Sequence, residues 1–548
     1  MKPTLDTNTP IDHSKGINIQ PAFNLAAFDT EAVETKLKEL VEKGQPISHE
    51  KLLAELLKEV EPVNFQNVAF PDTEELKSKK QELEQLTADQ HKNELTAERK
   101  LLAEINSKLA TQRASQRHIQ VIVIEQLLKI AKQNSWGLCT NTGFVYLYNG
   151  AFWKVLEGEN LQYFLGQGAE KLGVDHYTAE HYEFKRKLVE QFKATAFLSS
   201  PKPPAELVLI NLKNGTYEIN AKTGSKGLRE FRAGDFLKHQ LPFDYEPTAT
   251  APLFQKYLDK VVPEKEMQQV LAEYLGWVFV RHSSQKLKLE KALVLYGFGA
   301  NGKSVFFQIA TALFGEENCS TYSIQNLTLS DGYYRAAIAN KLINYASEIS
   351  NKLESAYFKQ LVSGEPVEAR VPFGTAQIVS DYAKLIFNCN ELPIVTDHTY
   401  AFFRRFLIVP FNVTIADNEK DPELASKIIE NELSGVFNWV LEGLGRLIDQ
   451  QKFTYCESCE SALLQYQKES DTVALFLEEN PYKPDPKITI ELQTLFEQYK
   501  QFCVDCGNRF VSKGKFRKRI ELLGFSITKR NVGLVVFAYK EPLTFPNV

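Results

Sequence analysis

The stretch that most constrains this chain is GFGANGKS at residues 297–304, which directly follows the apolar run ALVLY. It matches the pattern Gly-x-x-x-x-Gly-Lys-Ser, in which a glycine-rich turn between a buried strand and a helix holds phosphate groups. The segment SVFFQIATALFG at 304–315 has the composition of an apolar helix that ends at a glycine. This strand–loop–helix context favours a phosphate-binding loop over a chance glycine turn.

Each residue type in the loop has a chemical role. Glycine permits backbone angles and close approaches that a β-carbon would block, and successive amide groups with the new helix then hold an anion. The lysine can reach the β- and γ-phosphates, and the serine hydroxyl can ligate Mg²⁺. We therefore predict ATP and Mg²⁺ as cofactors. The predicted nucleotide-binding residues are Gly297, Gly299, Asn301, Gly302, Lys303 and Ser304, with Lys303 also catalytic and Ser304 also a metal ligand.

Hydrolysis also needs an acidic group near metal and water, and positive charge at the γ-phosphate. The run LINYA predicts a strand followed by Glu348, a candidate catalytic residue and metal ligand, with an ordinary edge glutamate as the alternative. KLIFNC predicts a strand that leads to Asn390, which could position water or could be a turn residue before a proline. Arg404 and Arg405 precede a further apolar strand. They are either surface cations or a source of charge for a neighbouring subunit's site.

In this order, the motifs resemble those of the superfamily 3 helicases, and they are most similar to the primase-helicases of phages, satellite phages, plasmids and poxviruses. The similarity of motifs runs over about residues 290–412 and includes KQLVSGEPVEARVPFGTAQIV at 359–379, which is similar to a family segment followed by a basic hairpin. A weaker resemblance covers much of 120–548.

The resemblance implies an AAA+ ATPase domain that assembles as a ring, usually a hexamer, around DNA. It implies that Glu348 is the Walker B carboxylate, Asn390 is sensor 1, and Arg404 or Arg405 is the arginine finger. Walker B here has Ser347 before the glutamate in place of a second acid, so Glu348 would serve both metal and water, or the metal would rely on Ser304. The hairpin tip lacks lysine, so Arg370 and Phe373 are the candidate DNA contacts, with a structural role as the alternative for Phe373.

The composition and residue patterns of the chain limit its cellular location and its division into domains. The chain has 548 residues, a net charge of −5, 43% hydrophobic residues and seven cysteines. No run approaches the roughly 18 apolar residues of a membrane helix. We expect no membrane association and a bacterial host cytoplasm. We predict an α/β protein with an AAA+ P-loop core. Its parts are a helical arm (1–117), a mixed α/β domain (118–250), the ATPase domain (251–420), a helical connector (421–464) and a winged-helix-like domain (465–548).

The C-terminal region concentrates positive charge on one predicted helix. Lys513, Lys515, Arg517, Lys518 and Arg519 lie in this run, which we interpret as a DNA-binding face or, alternatively, a solvated helix surface. Two Cys-x-x-Cys pairs, at 456–459 and 503–506, raise the question of a zinc site. Their separation far exceeds the usual spacing of about 15–20 residues, so we expect unligated thiols.

These observations predict an ATP-dependent DNA helicase of a phage, plasmid or other mobile element. It would translocate as a ring on single-stranded and forked DNA during replication. Residues 1–115 lack an acidic set suited to two-metal chemistry, so priming would come from another protein. Two alternatives stay open. A P-loop phosphotransferase for small molecules would show no stimulation by DNA, and an ATP-assembled origin-binding initiator would bind duplex DNA with little turnover.

Overall fold

The computed structural model describes residues 46–88, 96–141, 143–198, 206–282, 287–347, 349, 353–370, 376–393, 397, 399–508, 510–531 and 533–541. The predictions that concern residues 1–45, Glu348 and Phe373 lie outside these residues. Within them the chain is a mixed α/β protein, as predicted, and its largest sheet is parallel.

The part of the chain before residue 199 is mainly helical. Its helices are α1 (His49–Lys58), α2 (Phe65–Ala69), α3 (Thr73–Ala88), α4 (Thr96–Thr111), α5 (Gln116–Gln133), α6 (Gly158–Lys171), α7 (His176–Glu180) and α8 (Tyr182–Thr195). An antiparallel sheet of β1 (Gly137–Asn141), β2 (Phe144–Tyr148) and β3 (Trp153–Leu156) lies between α5 and α6. The long helices predicted between Glu74 and Arg117 are α3 and α4, and the hairpin predicted around Asn149-Gly150 is β2–β3.

A second antiparallel sheet joins this part to the centre of the molecule. It consists of β4 (Leu207–Leu212), β5 (Gly215–Asn220) and β6 (Lys226–Arg229), and the hairpin predicted around Asn214-Gly215 is β4–β5. Ile210 and Tyr217 of this sheet belong to the same hydrophobic cluster as Leu293 in the central sheet. The core is therefore continuous across the domain boundary that we placed at residue 250.

The central sheet is parallel, and the glycine-rich motif of residues 297–304 lies at the carboxyl ends of its strands. Its strands are β7 (Ala292–Tyr296), β8 (Cys319–Ser320), β9 (Ile343–Ala346), β12 (Lys384–Cys389) and β13 (Phe406–Pro410), in the order β13-β7-β12-β9-β8. Most residues of these strands are apolar and buried, as expected for a covered parallel sheet. Ala292 and Val294 pack in one cluster and Leu293 and Leu295 in another, because alternate residues of β7 face opposite sides.

Helices and one hairpin cover this sheet. The helices are α9 (Pro252–Val261), α10 (Lys265–Trp277), α11 (Lys303–Phe314), α12 (Ile324–Leu327), α13 (Tyr333–Ala337), α14 (Ser355–Val362) and α15 (Tyr400–Phe403). The hairpin consists of β10 (Val367–Arg370) and β11 (Ala376–Val379). Helix α10 ends at the edge of the sheet, where the Tyr274 hydroxyl donates to the Leu385 carbonyl at 2.7 Å.

The C-terminal region continues from the central sheet without a break in packing. Its elements are α16 (Leu424–Asn431), α17 (Leu433–Gln450), α18 (Glu457–Ser470), α19 (Thr472–Glu479), β14 (Tyr482–Glu491), α20 (Leu492–Asp505), α21 (Lys513–Leu522), β15 (Ile527–Arg530) and β16 (Gly533–Lys540). Tyr466 of α18 packs against Phe403 and Phe406, and its hydroxyl donates to the Pro393 carbonyl at 2.7 Å. The boundary that we placed at 464 falls inside this helix.

The last unit contains the three predicted helices, α19 to α21, and the predicted hairpin, β15–β16. It also contains β14, which pairs with β16 and which the sequence analysis missed. Pro484 and Pro486 gave this segment the composition of a loop, because proline cannot donate to a strand ladder. In the structure the pairing shifts register between Pro484 and Thr489, which accommodates the prolines.

A buried carboxylate fastens α10 to the segment that follows α17. The Glu273 side chain has no exposed surface, and its oxygens accept from the Thr454 amide at 2.8 Å and from Gln450 Nε2 at 3.0 Å. Arg446 Nε lies 3.3 Å away and supplies the opposite charge. Since α10 leads into the central sheet, this contact fixes the helical layer that supports β7.

We expect Glu273→Leu to lower the free energy of unfolding by about 3 kcal/mol, because it leaves buried donors and the Arg446 charge without their acceptor. The measurement is the midpoint of urea denaturation followed by tryptophan fluorescence. Glu266→Leu, at an exposed position of the same helix, is the matched control and should change stability by less than about 0.5 kcal/mol. Equal midpoints for the two variants would contradict the role assigned to Glu273.

Candidate functional site

The conformation of the loop after β7 depends on two of its glycines, Gly297 and Gly302. The Gly297 amide donates to the Cys389 carbonyl at 3.1 Å, and a β-carbon at this glycine would collide with the Phe411 carbonyl. Ala300 (φ 59°) and Gly302 (φ 87°) both adopt left-handed backbone. Such turns aim successive amide groups into one concavity, which is the geometry of an anion site.

Helix α9 supports the far end of the loop. The Tyr257 hydroxyl donates to the Gly302 carbonyl at 2.8 Å. A β-carbon at Gly302 would lie 2.8 Å from Val261 Cγ1. Gly299, by contrast, has open space around it. The conformation of the loop therefore depends on α9 as well as on its own sequence.

The loop lysine is buried and folded back over the loop. Lys303 is 6% exposed, and its ammonium donates to the Gly297 carbonyl and to Asn301 Oδ1, at 3.1 Å for the latter. Asn301 in turn donates through Nδ2 to the Phe411 carbonyl at 2.9 Å. Burial lowers the pKa of Lys303, although the Cys389 thiol opposes this shift. No carboxylate of the described residues forms an ion pair with this ammonium, so its charge is available to an anionic ligand.

Several predicted polar residues meet at the same edge of the sheet. Ser304 lies exposed on the first turn of α11, next to Lys303. Asn390 is exposed and follows Cys389, which pairs with Tyr296 in the strand that feeds the loop. The carboxyl end of β9 lies beside β12, but Glu348 itself is not among the described residues. The structure thus brings the loop, Ser304 and Asn390 together at the carboxyl edge, where open α/β sheets bind ligands.

The two predicted arginines lie on the opposite side of the central sheet, at the amino ends of its strands. Arg405 immediately precedes β13, and its carbonyl accepts from the Ala292 amide at the start of β7 at 2.8 Å. Strand β7 has five residues, so about 13 Å of strand separates this edge from the loop. Neither arginine can therefore belong to the loop site of its own chain.

The two arginines differ in their surroundings. Arg405 is 9% exposed and donates through Nη2 to Ser363 Oγ at 2.8 Å, and burial lowers its pKa. The Arg404 side chain is 41% exposed and pairs with Glu290 at 2.6 Å. Glu290 adopts a left-handed backbone (φ 52°) and was missed by the sequence analysis. Arg405 is thus built into the fold, whereas Arg404 is partly exposed to solvent beside Glu290.

The predicted DNA-contact residues lie on two separate elements. Arg370 is exposed at the end of β10, opposite Ala376, and the connection that contains Phe373 is outside the described residues. On α21, exposed residues form most of the basic run, namely Lys513, Lys515, Arg517 and Lys518. Arg519 instead donates through Nε to Asp471 Oδ2 at 2.7 Å, and the Asp471 side chain is 6% exposed. This contact favours a structural role for Arg519.

The four C-terminal-region cysteines do not converge. Cys456 and Cys459 pack in the cluster of the central sheet, and burial raises the pKa of Cys459. Cys503 packs in the separate cluster of the last unit. Across the described part of the chain, no three or more His, Cys, Asp or Glu side chains are grouped closely enough to hold a metal ion.

Comparison with known proteins gives matches over two segments. Residues 125–263 match a family described as "D5 N terminal like", and residues 295–405 match one described as "Family of unknown function (DUF5906)". "Putative helicase 121R" of Invertebrate iridescent virus 3 is 24% identical over 317 residues, which are 51% of this chain and 33% of that protein. The chain therefore spans about a third of the length of this relative. These matches support a relationship to the phage and viral primase-helicases.

Solved structures are also similar to the chain. The apo structure of the NrS-1 C terminal region covers 77% of this chain and 99% of its own, at 14% identity and a TM-score of 0.46. A further form, the A form apo structure of the same region, covers 75% and 98%, at 13% identity and a TM-score of 0.43. In the ranges that the structure describes, no helix has the length and apolar character needed to cross a membrane.

We expect Gly302→Ala to destabilise the protein by about 1–3 kcal/mol, because it combines left-handed backbone with a clash against Val261. Gly299→Ala is the matched control and should change stability by less than about 0.5 kcal/mol. Thermal unfolding measures both, and amide hydrogen exchange over 297–304 localises the change. Equal effects of the two substitutions would show that the loop is not held as described.

Proposed function

We propose that this chain is an ATP-dependent DNA helicase of a phage, plasmid or other mobile element, working in the cytoplasm of a bacterial host. The observation that carries the proposal is the buried ammonium of Lys303, inside a glycine loop at the head of α11, which forms no ion pair with a carboxylate of the described residues. A polyphosphate would supply the missing negative charge and would replace the loop carbonyls as its partner.

Mg²⁺ fits the same edge of the sheet. The exposed Ser304 hydroxyl would hold the ion, together with Glu348 if that residue acts as predicted. When bound, the ion would neutralise charge on the phosphate oxygens. Asn390 would orient the attacking water, because it follows the strand next to the loop.

The position of the arginines supports a ring. Arg404 lies at the opposite end of the strands from the loop of its own chain. If it supplies positive charge to a nucleotide, that nucleotide must therefore be bound by a neighbouring subunit. A closed ring of identical subunits, six in our proposal, gives every site such a neighbour. Arg404 would act as the arginine finger. Arg405 would hold α15 in place, because it bonds both the Ala401 carbonyl and Ser363, which follows α14.

DNA would pass through this ring. The β10–β11 hairpin, with Arg370 and Phe373, would contact one strand in the channel. The exposed basic residues of α21 would contact forked DNA as part of a winged-helix-like unit. A separate primase would supply primers.

The first test is ATP turnover with and without single-stranded DNA, together with unwinding of a forked duplex. We expect Lys303→Ala to reduce turnover and unwinding about a hundredfold or more, because it removes the charge that contacts the phosphates. Lys256→Ala, at an exposed position of α9, is the matched control and should leave both unchanged. Turnover that ignores DNA would favour the phosphotransferase alternative. Binding to specific duplex DNA without turnover would favour the origin-binding initiator.

The second test uses mixtures of subunits. We expect Arg404→Ala to lower turnover about a thousandfold while nucleotide binding persists, as for loss of an arginine finger. Mixing Arg404→Ala with Lys303→Ala subunits should restore part of the activity, since some interfaces then combine an intact Lys303 with an intact Arg404. Mixtures as inactive as their components would reject a finger supplied in trans.

A further inference from the structure

A second cationic pocket lies at the edge of the central sheet that faces away from the loop. It has a volume of about 90 Å³ and lies between the β4–β5–β6 sheet, the end of α10 and the starts of β9 and β12. Its charged lining residues in the described part of the chain are four cations, Lys238, Arg281, Lys341 and Lys384, and one carboxylate, Asp381. The site is therefore separate from the proposed ATP site, and the inference does not depend on the proposed function.

The lining carboxylate alone does not balance this charge, and the two carboxylates nearby, Asp235 and Glu317, are already paired with Arg229 and Lys154. Lys238 pairs with Asp381 at 3.3 Å and donates to Asn340 Oδ1 at 2.7 Å. Lys341 donates to the Glu317 carbonyl, which is neutral. Arg281 is exposed at the mouth of the pocket. The lining thus carries an excess of positive charge that an anion would compensate.

Lys384 at the base of the pocket is the most confined of these cations. It is 4% exposed, and its ammonium lies 3.9 Å from the centre of the Trp277 ring. His282 Nε2 lies 3.0 Å from the Tyr382 carbonyl, to which it donates. Its Nδ1 can then accept from the Lys384 ammonium, 3.1 Å away. These contacts orient the Lys384 ammonium, but none of them supplies a negative charge.

We propose that this pocket binds a phosphate group, with Lys384 at its base and Lys238 and Arg281 at its walls. An arginine fork and converging ammonium groups are the donors that suit a compact oxyanion with several acceptor oxygens. The phosphate could be a free ion or belong to the backbone of a nucleic-acid strand that lies over the mouth. Both sources share the same chemistry, and the experiment below separates them.

The pocket should bind an anion more tightly at lower pH. Burial lowers the pKa of Lys384 to about 7, although Asp381 opposes this shift, so the protein gains a proton at the base of the pocket as pH falls. Burial lowers the pKa of His239 to about 4 and that of His282 to about 3, so both rings stay neutral in this range. Burial would raise the pKa of Asp381, but neighbouring cations, Lys238 first, outweigh it and keep this group ionised.

The test is a calorimetric titration with inorganic phosphate on Lys303→Ala protein, in which the loop site is disabled. We expect one remaining site, and about a tenfold loss of its affinity when Lys384→Met or, separately, Arg281→Met is added. Lys256→Met in the same background is the matched control. Arg281 is exposed, so its variant keeps the test valid if Lys384→Met fails to fold. Phosphate binding that is absent in Lys303→Ala protein, or indifferent to both substitutions, would overturn the proposal.

Two further experiments test the pH dependence of anion binding and the source of the phosphate. Sulfate keeps its charge between about pH 6 and pH 8.5, so its affinity should fall across this range only while Lys384 is present. A short single-stranded oligonucleotide tests the source of the phosphate. A dependence of its binding on Lys384 and Arg281 would identify the strand backbone as ligand. Binding of phosphate but not of the oligonucleotide at this site would identify the free anion.

Discussion

The parallel pairing of β7 with β12 and β13 is the constraint on which the rest of the structure depends. It fixes the glycine loop and Asn390 at one edge of the sheet and sends Arg404 to the other. Parallel strands have all their carboxyl ends together, so Arg404, which precedes β13, lies about 13 Å of strand away from the loop that follows β7. The division of polar groups between the two sides of the sheet follows from this pairing, and it is the basis of the proposed site shared between subunits.

A buried lysine lies at each end of the strands of the central sheet. Lys303 and Lys384 are both nearly inaccessible to solvent, and neither forms an ion pair with a carboxylate of the described residues. A buried ammonium is tolerated when neutral oxygens, an imidazole or an aromatic face share its charge, as the Asn301 oxygen and the Trp277 ring do here. This arrangement is the common basis of the two proposed anion sites.

Local signals made much of this fold predictable from the sequence. The strand–loop–helix around Gly302 and the hairpins β2–β3 and β4–β5 depend on residues close in the chain, so their patterns predicted them. The shared core of Tyr217 with the central sheet, the pairing of β14 with β16 and the ion pair of Arg519 with Asp471 join distant segments. No local pattern encodes those contacts, and the prolines of β14 pointed away from its pairing.

The hydroxyl of Tyr466 gives α18 a consequence beyond packing. Its bond to the Pro393 carbonyl attaches the helix three residues beyond Asn390, in the segment that leaves the carboxyl side of the central sheet. Five residues, about 7.5 Å along the helix axis, separate Tyr466 from Asp471, which accepts a hydrogen bond from Arg519 on the basic helix. The C-terminal end of α18 therefore joins these two contacts through a short stretch of helix. The carboxyl side of the central sheet and the basic helix α21 are thus connected through one helix end and two side-chain hydrogen bonds, although they lie far apart in the sequence.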